Sequence, residues 1–459
     1  MLSLLLAFAA AALEKTSMAT ISLPPLGQTR IVAAGGQTFS AFPYDGYVPE
    51  GGGGIHDPAV IAIGGRYLCF CTGPGFCTVR SSPDLMHWKL EGPVLAETPA
   101  WLRDASPGHR SIWAPEAVKV GDGLRLYYCA SARFGHNDSW IGVAECPHFD
   151  SARPTQGWRD LGLIVSSKDG HDNFNAIDPS VIIDPRGRHW MVFGSYWSGI
   201  WSAELDPGTG KLKDPSPTGR TLVATNPADR ANGIEAPCRV YRGGYYYLFV
   251  NYGLAAQGVR STYQIVVGRS KNPEGPFVDS TGKLMTEGGH EAVVNSSSPM
   301  FGPGGGVEFQ DSTGRWLMSF HYYDGRVFWH DHVWGVPTMQ IRELLWTDDG
   351  WPAPGLPITP ETMALAKHPK ASPVGEWIQQ VDFGWVVKLS IRANGTCSIG
   401  DSQQGTWSKS GDKLQFRWPK TGLPGEAWVD DVQFASGGHY FVGRNQARAV
   451  IRGVRQEPG

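Results

Sequence analysis

The stretch DPSVIIDPRGRHWMVFGSYW (178–197) shows the pattern that decides the fold. Two runs rich in β-branched and aromatic residues flank the turn sequence PRG, an arrangement typical of an antiparallel hairpin. Four further stretches repeat this arrangement around glycine-containing turns of their own. They are HDPAVIAIGGRYLCF (56–70), WAPEAVKVGDGLRLYYCA (113–130), EAPCRVYRGGYYYLFVNYG (235–253) and GVEFQDSTGRWLMSFHYYD (306–324).

The spacing of these five stretches indicates a repeated structural unit. Their first residues lie 57, 65, 57 and 71 positions apart in chain order, which is enough for a four-stranded sheet and its loops. We therefore predict an all-β chain whose residues 30–360 form a five-bladed β-propeller. A proline-rich stretch from about residue 355 to Pro373 is interpreted as a linker. Alternating apolar and polar residues then predict a small C-terminal β-sandwich or β-barrel domain over residues 374–459.

The charge balance of the chain narrows the choice of partners. Among 459 residues, 40 Lys and Arg against 43 Asp and Glu give a formal net charge of -3, and 18% of the residues are charged. This balance provides no basic surface for a nucleic acid or an anionic membrane. We therefore expect no nucleic-acid or membrane partner. We also expect a monomer.

The opening segment MLSLLLAFAAAAL is an apolar run of signal-peptide length that is too short to cross a bilayer. We predict a signal peptide over residues 1–19 and a secreted or periplasmic protein, although no Lys or Arg precedes the run. The seven cysteines lack the paired spacing of a zinc site. They are interpreted as small buried residues, with a single disulfide bond left open.

Three carboxylates occupy the starts of predicted blades, each next to a proline or an Ala-Pro pair. They are Asp57 in HDP, Asp178 in NAIDPS and Glu235 in GIEAP. Equivalent points of propeller blades face one central channel, so these acids are expected to converge. A single Asp-Pro pair more often marks a turn, and Asp184 and Asp206 are interpreted in that way.

Converging carboxylates have a chemical consequence. Their mutual repulsion raises the pKa of at least one of them, which allows one acid to stay protonated beside an ionised base. This is the requirement of glycoside hydrolysis. Glu116, in WAPE, is a fourth acid at a blade start, and we interpret it as a structural or channel-lining residue.

Several segments carry a resemblance to a known family, glycoside hydrolase family 43, and within it to the endo-1,5-α-L-arabinanases. The resemblance covers about residues 50 to 352 and implies a five-bladed propeller that hydrolyses arabinofuranosyl bonds with inversion. The matching segments are HDPAVI, RSIWAPEAV, SARFGHNDSWIGVA, NAIDPSVI, FGSYWSGIWSAELDP, GIEAPCRVYRGGYYYLFVNYG, STYQIVVGRSKNPEGPFVD and FHYYDG.

The resemblance assigns roles to the three acids. Asp57 resembles the general base that activates water, and Glu235 resembles the general acid that protonates the leaving oxygen. Asp178 resembles the third carboxylate, which tunes the pKa of the acid and orients it. We expect endo action on the arabinan side chains of pectin. The alternatives are an exo-acting α-L-arabinofuranosidase or β-xylosidase on the same scaffold, and a sugar-binding propeller without catalysis.

The same resemblance implies a sugar-binding cleft around the acids. Asn175 and Ser195 offer polar groups to furanose hydroxyls, and Trp197 offers an apolar face. Trp113 is either a further wall of this cleft or a residue of the blade core. The complete predicted substrate-binding set is Trp113, Gly135, Asn175, Ser195, Tyr196 and Trp197.

A metal site is also implied by the resemblance. His321 in FHYYDG matches a histidine that helps to hold a cation, usually calcium, in the central channel. Calcium prefers oxygen ligands, so a single histidine implies an ion that keeps most of its water shell. The alternative is a buried histidine that only forms hydrogen bonds.

Overall fold

The structure is a computed structural model that describes residues 30–32, 38–40, 42–73, 77–108, 111–329, 333–367, 372–384, 386–400, 403–420 and 425–456. These residues form five four-stranded antiparallel sheets, a closed eight-stranded barrel and a separate two-stranded sheet. The prediction of an all-β five-bladed propeller with a small β domain is confirmed, and the small domain is a barrel. The predicted signal peptide, residues 1–19, lies outside the described residues.

Each blade is built from four consecutive strands, so no strand is exchanged between blades. The two-stranded sheet contains β1 (Arg30–Val32) and β2 (Thr38–Ser40). Blade 1 contains β3 (His56–Ile63), β4 (Arg66–Thr72), β5 (Thr78–Ser82) and β6 (Lys89–Pro93). Blade 2 contains β7 (Trp113–Val120), β8 (Gly123–Ser131), β9 (Ser139–Cys146) and β10 (Arg159–Ser167). Blade 3 contains β11 (Ser180–Ile183), β12 (His189–Phe193), β13 (Ile200–Leu205) and β14 (Arg220–Ala224). Blade 4 contains β15 (Ile234–Arg242), β16 (Tyr245–Tyr252), β17 (Gln264–Ser270) and β18 (Glu291–Val294). Blade 5 contains β19 (Met300–Gln310), β20 (Trp316–Trp329), β21 (Val333–Trp346) and β22 (Pro352–Pro357).

The barrel closes because its first strand pairs with its last. Its interior is filled by large side chains such as Trp377, Phe416 and Phe441, all fully buried. The barrel strands are β23 (Gly375–Val381), β24 (Val386–Ile391), β25 (Thr396–Ile399), β26 (Gln403–Ser410), β27 (Lys413–Pro419), β28 (Ala427–Ala435), β29 (Tyr440–Asn445) and β30 (Val450–Arg455).

Helices are few and short. The two α-helices are α1 (Ala100–Ala105) and α2 (Pro360–Leu365). In the part of the chain that the structure describes, no helix combines the length and the apolar character that crossing a membrane requires. All seven cysteines are buried and unpaired, so the structure supports their interpretation as core residues and shows no disulfide bond among them.

The interpretation of residues 355 to 373 as a linker is wrong in its first part. Strand β22, with the sequence PAPGLP, continues to Pro357 and is buried along its whole length. It is the edge strand of blade 5 and pairs only with β21. An edge strand tolerates proline because one side of its backbone needs no partner. Helix α2 follows, with Pro360 at its first turn and Thr359 as its N-cap.

The segment just before blade 1 closes the propeller ring. Gly53 forms a bridge with Thr338 of blade 5, and Glu50 forms a bridge with His87 of blade 1. Backbone hydrogen bonds from Met339 to Gly52 and from Trp88 to Glu50 reinforce both contacts. This segment therefore supplies the connection between first and last blades that other propellers obtain by exchanging a strand.

A fully buried ion pair joins the propeller to the barrel. Asp45 accepts hydrogen bonds from Arg342 of β21 (2.6 Å) and from Arg452 of β30 (2.7 Å), and none of the three is more than 1% exposed. Burial alone would raise the pKa of Asp45, but the two guanidinium groups hold this pKa below its ordinary value. The two domains are therefore joined by an interaction that depends on an ionised Asp45.

We predict that Asp45→Asn lowers the free energy of unfolding by about 3–5 kcal/mol, because it leaves two buried guanidinium groups with reduced compensation. Asp348→Asn is the matched control, since it removes a carboxylate that pairs with the barrel's Lys413 at the exposed rim and should cost less than about 1 kcal/mol. Equilibrium denaturation followed by tryptophan fluorescence measures both changes. Equal small losses would contradict the account.

Candidate active site

The central channel is lined by the first strand of every blade. Each blade contributes two or three consecutive residues, which lie at or just before the start of that strand in blades 1 to 4 and in the middle of β19 in blade 5. The lining residues are Asp57, Pro58 and Ala59 from blade 1, Ala114, Pro115 and Glu116 from blade 2, Asp178 and Pro179 from blade 3, Ala236 and Pro237 from blade 4, and Gly305, Gly306 and Val307 from blade 5.

One residue of each lining segment has a left-handed backbone. In four blades this residue immediately precedes a proline, and in blade 5 it is a glycine. The φ angles are 50° at Asp57, 38° at Ala114, 56° at Asp178, 46° at Ala236 and 60° at Gly305. Such angles are unfavourable for residues other than glycine, so neighbouring structure must hold them in place.

The amide N–H of the left-handed residue bonds across to the preceding blade. In four of the five junctions its acceptor is a side chain of the second strand of that blade. The pairs are Asp57 N with His321 Nδ1 (3.2 Å), Ala114 N with Thr72 Oγ1 (2.8 Å), Asp178 N with Cys129 Sγ (3.3 Å) and Gly305 N with Asn251 Oδ1 (3.1 Å).

The junction between blades 3 and 4 departs from this rule. The corresponding position of blade 3 is Gly194, where a Cβ atom would lie 2.4 Å from a backbone oxygen of Gly199. No side chain fits there, and the amide of Ala236 is instead bonded by the carboxylate of Asp178 (3.1 Å). The glycine thus allows Asp178 to reach across to blade 4, next to Glu235.

Asp57 is held at both carboxylate oxygens. Its Oδ2 accepts a hydrogen bond from Thr72 (2.7 Å), and its Oδ1 lies 3.0 Å from Nδ1 of His56. Burial alone would raise its pKa, but the His56 ring, the nearby His321 ring and the Thr72 hydroxyl lower the pKa to about 2. Asp57 is therefore ionised across the physiological range, and 18% of its side chain is open to solvent.

Glu235 and Asp178 have the opposite electrostatic environment. Burial raises the pKa of both side chains, and the charge of Glu235 followed by that of Asp57 raises the pKa of Asp178 further. Two carboxylates that repel each other in a buried site bind one proton more readily than either would alone. The pair therefore binds a proton more readily than Asp57 does.

The hydrogen-bond partners indicate where that proton resides. Asp178 accepts from a backbone N–H, which can only donate and so favours the ionised carboxylate. Glu235 is bonded by two hydroxyls, Ser195 Oγ at Oε2 (2.7 Å) and Tyr263 at Oε1. Both hydroxyls lower the pKa of Glu235 when they donate to it, but a hydroxyl can also accept, so these partners still allow a protonated carboxyl. The shared proton is therefore best placed on Glu235.

The predicted sugar-binding residues lie on loops at the same end of the propeller, in different settings. Ser195 contacts Glu235, and Asn175 is 3% exposed with an Oδ1 atom that has no hydrogen-bond partner in the described structure. Tyr196 and Trp197 follow Ser195 with left-handed φ angles and half-buried side chains. Gly135 lies exposed on the loop between β8 and β9.

Trp113 has a more structural setting than the other members of this set. Its ring packs against the buried cluster between blades 2 and 3, and its Nε1 donates to Ser111 (2.8 Å). These contacts support the alternative that Trp113 is a residue of the blade core.

Glu116 lines the channel as interpreted from the sequence. Burial raises its pKa to about 8, and it accepts a hydrogen bond from the amide of Val181 (3.4 Å). Sequence reasoning did not identify Glu308, which is 7% exposed and whose pKa burial also raises to about 8.

His321 is fully buried and stacks on His56 with ring centroids 3.7 Å apart. Its Nδ1 accepts the amide hydrogen of Asp57 (3.2 Å). Burial and the charge of His56 keep the pKa of His321 well below its ordinary value, although a backbone hydrogen bond with Gly305 raises it. Its Nε2 has no partner among the described residues. His56, Asp57 and His321 also bring one potential ligand atom each within 4.8 Å of one another. Because Nδ1 accepts the Asp57 amide, a neutral His321 carries its own hydrogen on Nε2. A cation at Nε2 therefore requires the other tautomer, with the hydrogen on Nδ1 and a free lone pair on Nε2.

Four residues that contact this site were missed in the sequence. Thr72, Cys129 and Asn251 belong to second strands, and Tyr263 immediately precedes the third strand of blade 4. They lie 15 to 49 positions away from the acids they touch. Nothing in the local sequence distinguishes them from ordinary strand residues. Only the register between strands and the contact between blades brings them to the channel.

Comparison with known proteins identifies the family of this chain. The model of glycosyl hydrolases family 43 matches residues 51–352. The chain belongs to this family, and it is therefore a glycoside-hydrolysing enzyme.

Two curated relatives and one solved structure show the range within the family. The extracellular endo-α-(1→5)-L-arabinanase 1 of Bacillus subtilis is 34% identical over 65% of this chain and 87% of its own. The extracellular endo-α-(1→5)-L-arabinanase of Thermotoga petrophila is 30% identical over 77% of this chain and 82% of its own. The structure of an exo-1,5-α-L-arabinanase from a bovine ruminal metagenomic library has a TM-score of 0.61 at 34% identity and covers 68% of this chain and 99% of its own.

We predict that Asp178→Asn shifts the alkaline limb of the pH profile of kcat/KM to lower pH. The substitution removes the negative charge beside Glu235, so the pKa of Glu235 falls and the acid loses its proton earlier as pH rises. The amide oxygen of asparagine can still accept the Ala236 hydrogen bond, so the fold should be retained.

Ser195→Ala provides a control of opposite sign. The Ser195 hydroxyl lowers the pKa of Glu235, so its removal should move the same limb to higher pH. Initial rates over a range of pH measure both shifts. An alkaline limb that moves in the same direction in both variants would contradict the assignment of the proton to Glu235.

Proposed function

We propose that the protein is an endo-acting, inverting hydrolase of α-1,5-linked L-arabinofuranosyl bonds in arabinan. One observation carries the chemistry: Asp57, whose pKa is lowered, lines the same channel as Asp178, whose pKa is raised together with that of Glu235, the neighbour of the channel-lining Ala236. A base and an acid with pKa values set apart by their surroundings are what glycoside hydrolysis needs.

Each acid has one part in the reaction. Asp57 accepts a proton from the attacking water, and Glu235 gives its proton to the oxygen of the departing sugar. Asp178 keeps Glu235 protonated by its negative charge and holds the backbone at Ala236 in place. After bond cleavage Asp57 is protonated and Glu235 is ionised, and exchange with solvent restores the starting state. Inversion is a prediction that rests on the family resemblance.

The residues of the cleft suit a furanose chain. Asn175 offers an unpartnered amide oxygen, and Tyr196 and Trp197 offer half-buried aromatic surface next to Ser195. Sugars combine hydroxyl groups with patches of C–H surface, which these side chains can match. We expect Gly135 to form the outer part of the same cleft.

The choice between endo and exo action rests on the relatives. The Thermotoga petrophila relative is named an endo enzyme, and its match to this chain is the longer of the two, 77% against 65% for the Bacillus subtilis enzyme. The exo alternative is supported by the metagenomic enzyme, which is equally similar over the propeller. Relatives from both bacteria are named extracellular, which supports secretion through the predicted signal peptide and a role on pectin outside the cell. A monomeric state remains our expectation from the sequence.

Product analysis tests the proposed function. Linear debranched α-1,5-arabinan is incubated with the protein, with xylan and an aryl arabinofuranoside as parallel substrates. We predict a ladder of arabino-oligosaccharides whose new reducing ends first appear in the β configuration by proton NMR. Arabinose as the sole early product would establish the exo alternative. Release of xylose from xylan alone would show that the substrate is xylan and not arabinan. No hydrolysis of any substrate by folded protein would leave the sugar-binding alternative.

We further propose that His321 holds a cation, with calcium as the first candidate. The unpartnered Nε2 atom supports this assignment, as does the cluster of possible ligand atoms from His56, Asp57 and His321. The ion would supply positive charge to the channel and would keep most of its water shell, since the protein offers few oxygen ligands at this point.

His321→Asn separates the cation site from the hydrogen bond to Asp57. Asparagine already occupies the equivalent position of blade 4 as Asn251, where its Oδ1 accepts the amide of Gly305, so this substitution retains an acceptor and removes Nε2. We predict that a chelator lowers the melting temperature of the wild-type protein, that calcium restores it, and that His321→Asn responds to neither. A wild-type melting curve unaffected by both treatments would refute the cation site.

A further inference from the structure

We propose that Thr72 is the positioning residue of Asp57, a role that rests on the proposed function because it requires Asp57 to be the base. Thr72 ends strand β4 and pairs with His56 in the register of blade 1. From there its hydroxyl contacts two blades at once. It bonds to Asp57 of its own blade and to the amide of Ala114 in blade 2.

The direction of the two hydrogen bonds is fixed by chemistry. The amide of Ala114 can only donate, so Thr72 Oγ1 accepts at this contact (2.8 Å). The hydroxyl has one hydrogen to donate. An ionised carboxylate has no hydrogen, so Asp57 Oδ2, 2.7 Å away, acts as the acceptor. Thr72 therefore donates to Asp57 Oδ2 without an alternative orientation. A serine or threonine without the Ala114 contact could rotate its hydrogen elsewhere.

The carboxylate of Asp57 is consequently held from both sides. Thr72 bonds to Oδ2 and His56 lies at Oδ1, which fixes the plane of the carboxylate against rotation about its own bond. A base must lie within hydrogen-bond reach of its water in a defined orientation, and a misplacement of about 1 Å can cost a factor of 10² in rate. The hydroxyl of Thr72 thus contributes to catalysis by orientation.

Three other side chains accept the amide of a left-handed residue from the next blade, and their contacts show that this role is particular to Thr72. His321, Cys129 and Asn251 accept an amide in the same way. Cys129 lies 4.0 Å from the carboxylate of Asp178, and Asn251 bonds to backbone oxygens of Glu235 and Ala236. Among these four residues, only Thr72 couples the blade junction to a short hydrogen bond on a carboxylate of the site.

The test compares Thr72→Val with Thr72→Ser. Valine keeps the shape of threonine and removes the hydroxyl, whereas serine keeps the hydroxyl. We expect Thr72→Val to lower kcat about 10- to 100-fold with little change in KM, and Thr72→Ser to recover most of the rate. The loss should be equal on debranched arabinan and on a dinitrophenyl arabinofuranoside, because every substrate needs the base.

Thr362→Val is the matched control for loss of a buried threonine hydroxyl. Thr362 is 6% exposed in α2, and its hydroxyl donates to the carbonyl of Pro357 (2.8 Å), away from the channel. We expect this variant to melt at a lower temperature with an unchanged kcat. Comparing kcat at a temperature where all variants are folded separates orientation from stability.

The outcomes are distinct. A Thr72→Val enzyme with wild-type kcat overturns this inference alone, as does a Thr72→Ser enzyme that is as impaired as Thr72→Val. A loss that is smaller on the dinitrophenyl substrate than on arabinan also overturns it, because that pattern belongs to the acid. A folded wild-type protein that hydrolyses neither substrate overturns the proposed function and this inference with it.

Discussion

The structure depends on the amide N–H of one left-handed residue in each blade. This residue lies where the first strand enters the channel, and a proline or glycine after it interrupts the regular ladder of hydrogen bonds. A buried amide without an acceptor would cost about 1–3 kcal/mol. The preceding blade supplies the acceptor in each case. The contact that joins the blades is therefore also the contact that sets the geometry of the active site.

The acids of the channel differ in pKa because the junctions between blades use different acceptors for the amide of the left-handed residue. At Asp57 the acceptor is a histidine, and a second histidine and a threonine also stabilise its negative charge. At Ala236 the acceptor is a carboxylate, because Gly194 leaves no side chain in the usual place. That carboxylate raises the proton affinity of the pair it forms with Glu235. One five-fold arrangement thus lowers the pKa of the proposed base and raises the pKa of the proposed acid.

The sequence predicts the architecture well because hairpin turns and the order of strands are local features. Asp57 and Asp178 could be found in the sequence because an Asp-Pro pair recurs at equivalent positions of the repeat. In blade 4 the residue equivalent to Asp57 and Asp178 is Ala236, and Glu235 lies one position before it. The repeat alone would therefore have placed the acid of blade 4 imprecisely. Thr72 and Tyr263 could not be found, because strand register and contacts between blades bring them to the acids. The prolines of β22 misled the interpretation because an edge strand tolerates what a central strand does not.

The central claim is that Glu235 carries the proton which the leaving group receives. The most direct measurement is the rate of Glu235→Gln on arabinan and on a dinitrophenyl arabinofuranoside, with Asp57→Asn assayed in parallel. The account predicts that Glu235→Gln loses hydrolysis of arabinan and retains much more activity on the activated substrate, whose leaving group needs no proton. Asp57→Asn should lose both activities. Equal losses on the two substrates for Glu235→Gln would contradict the account.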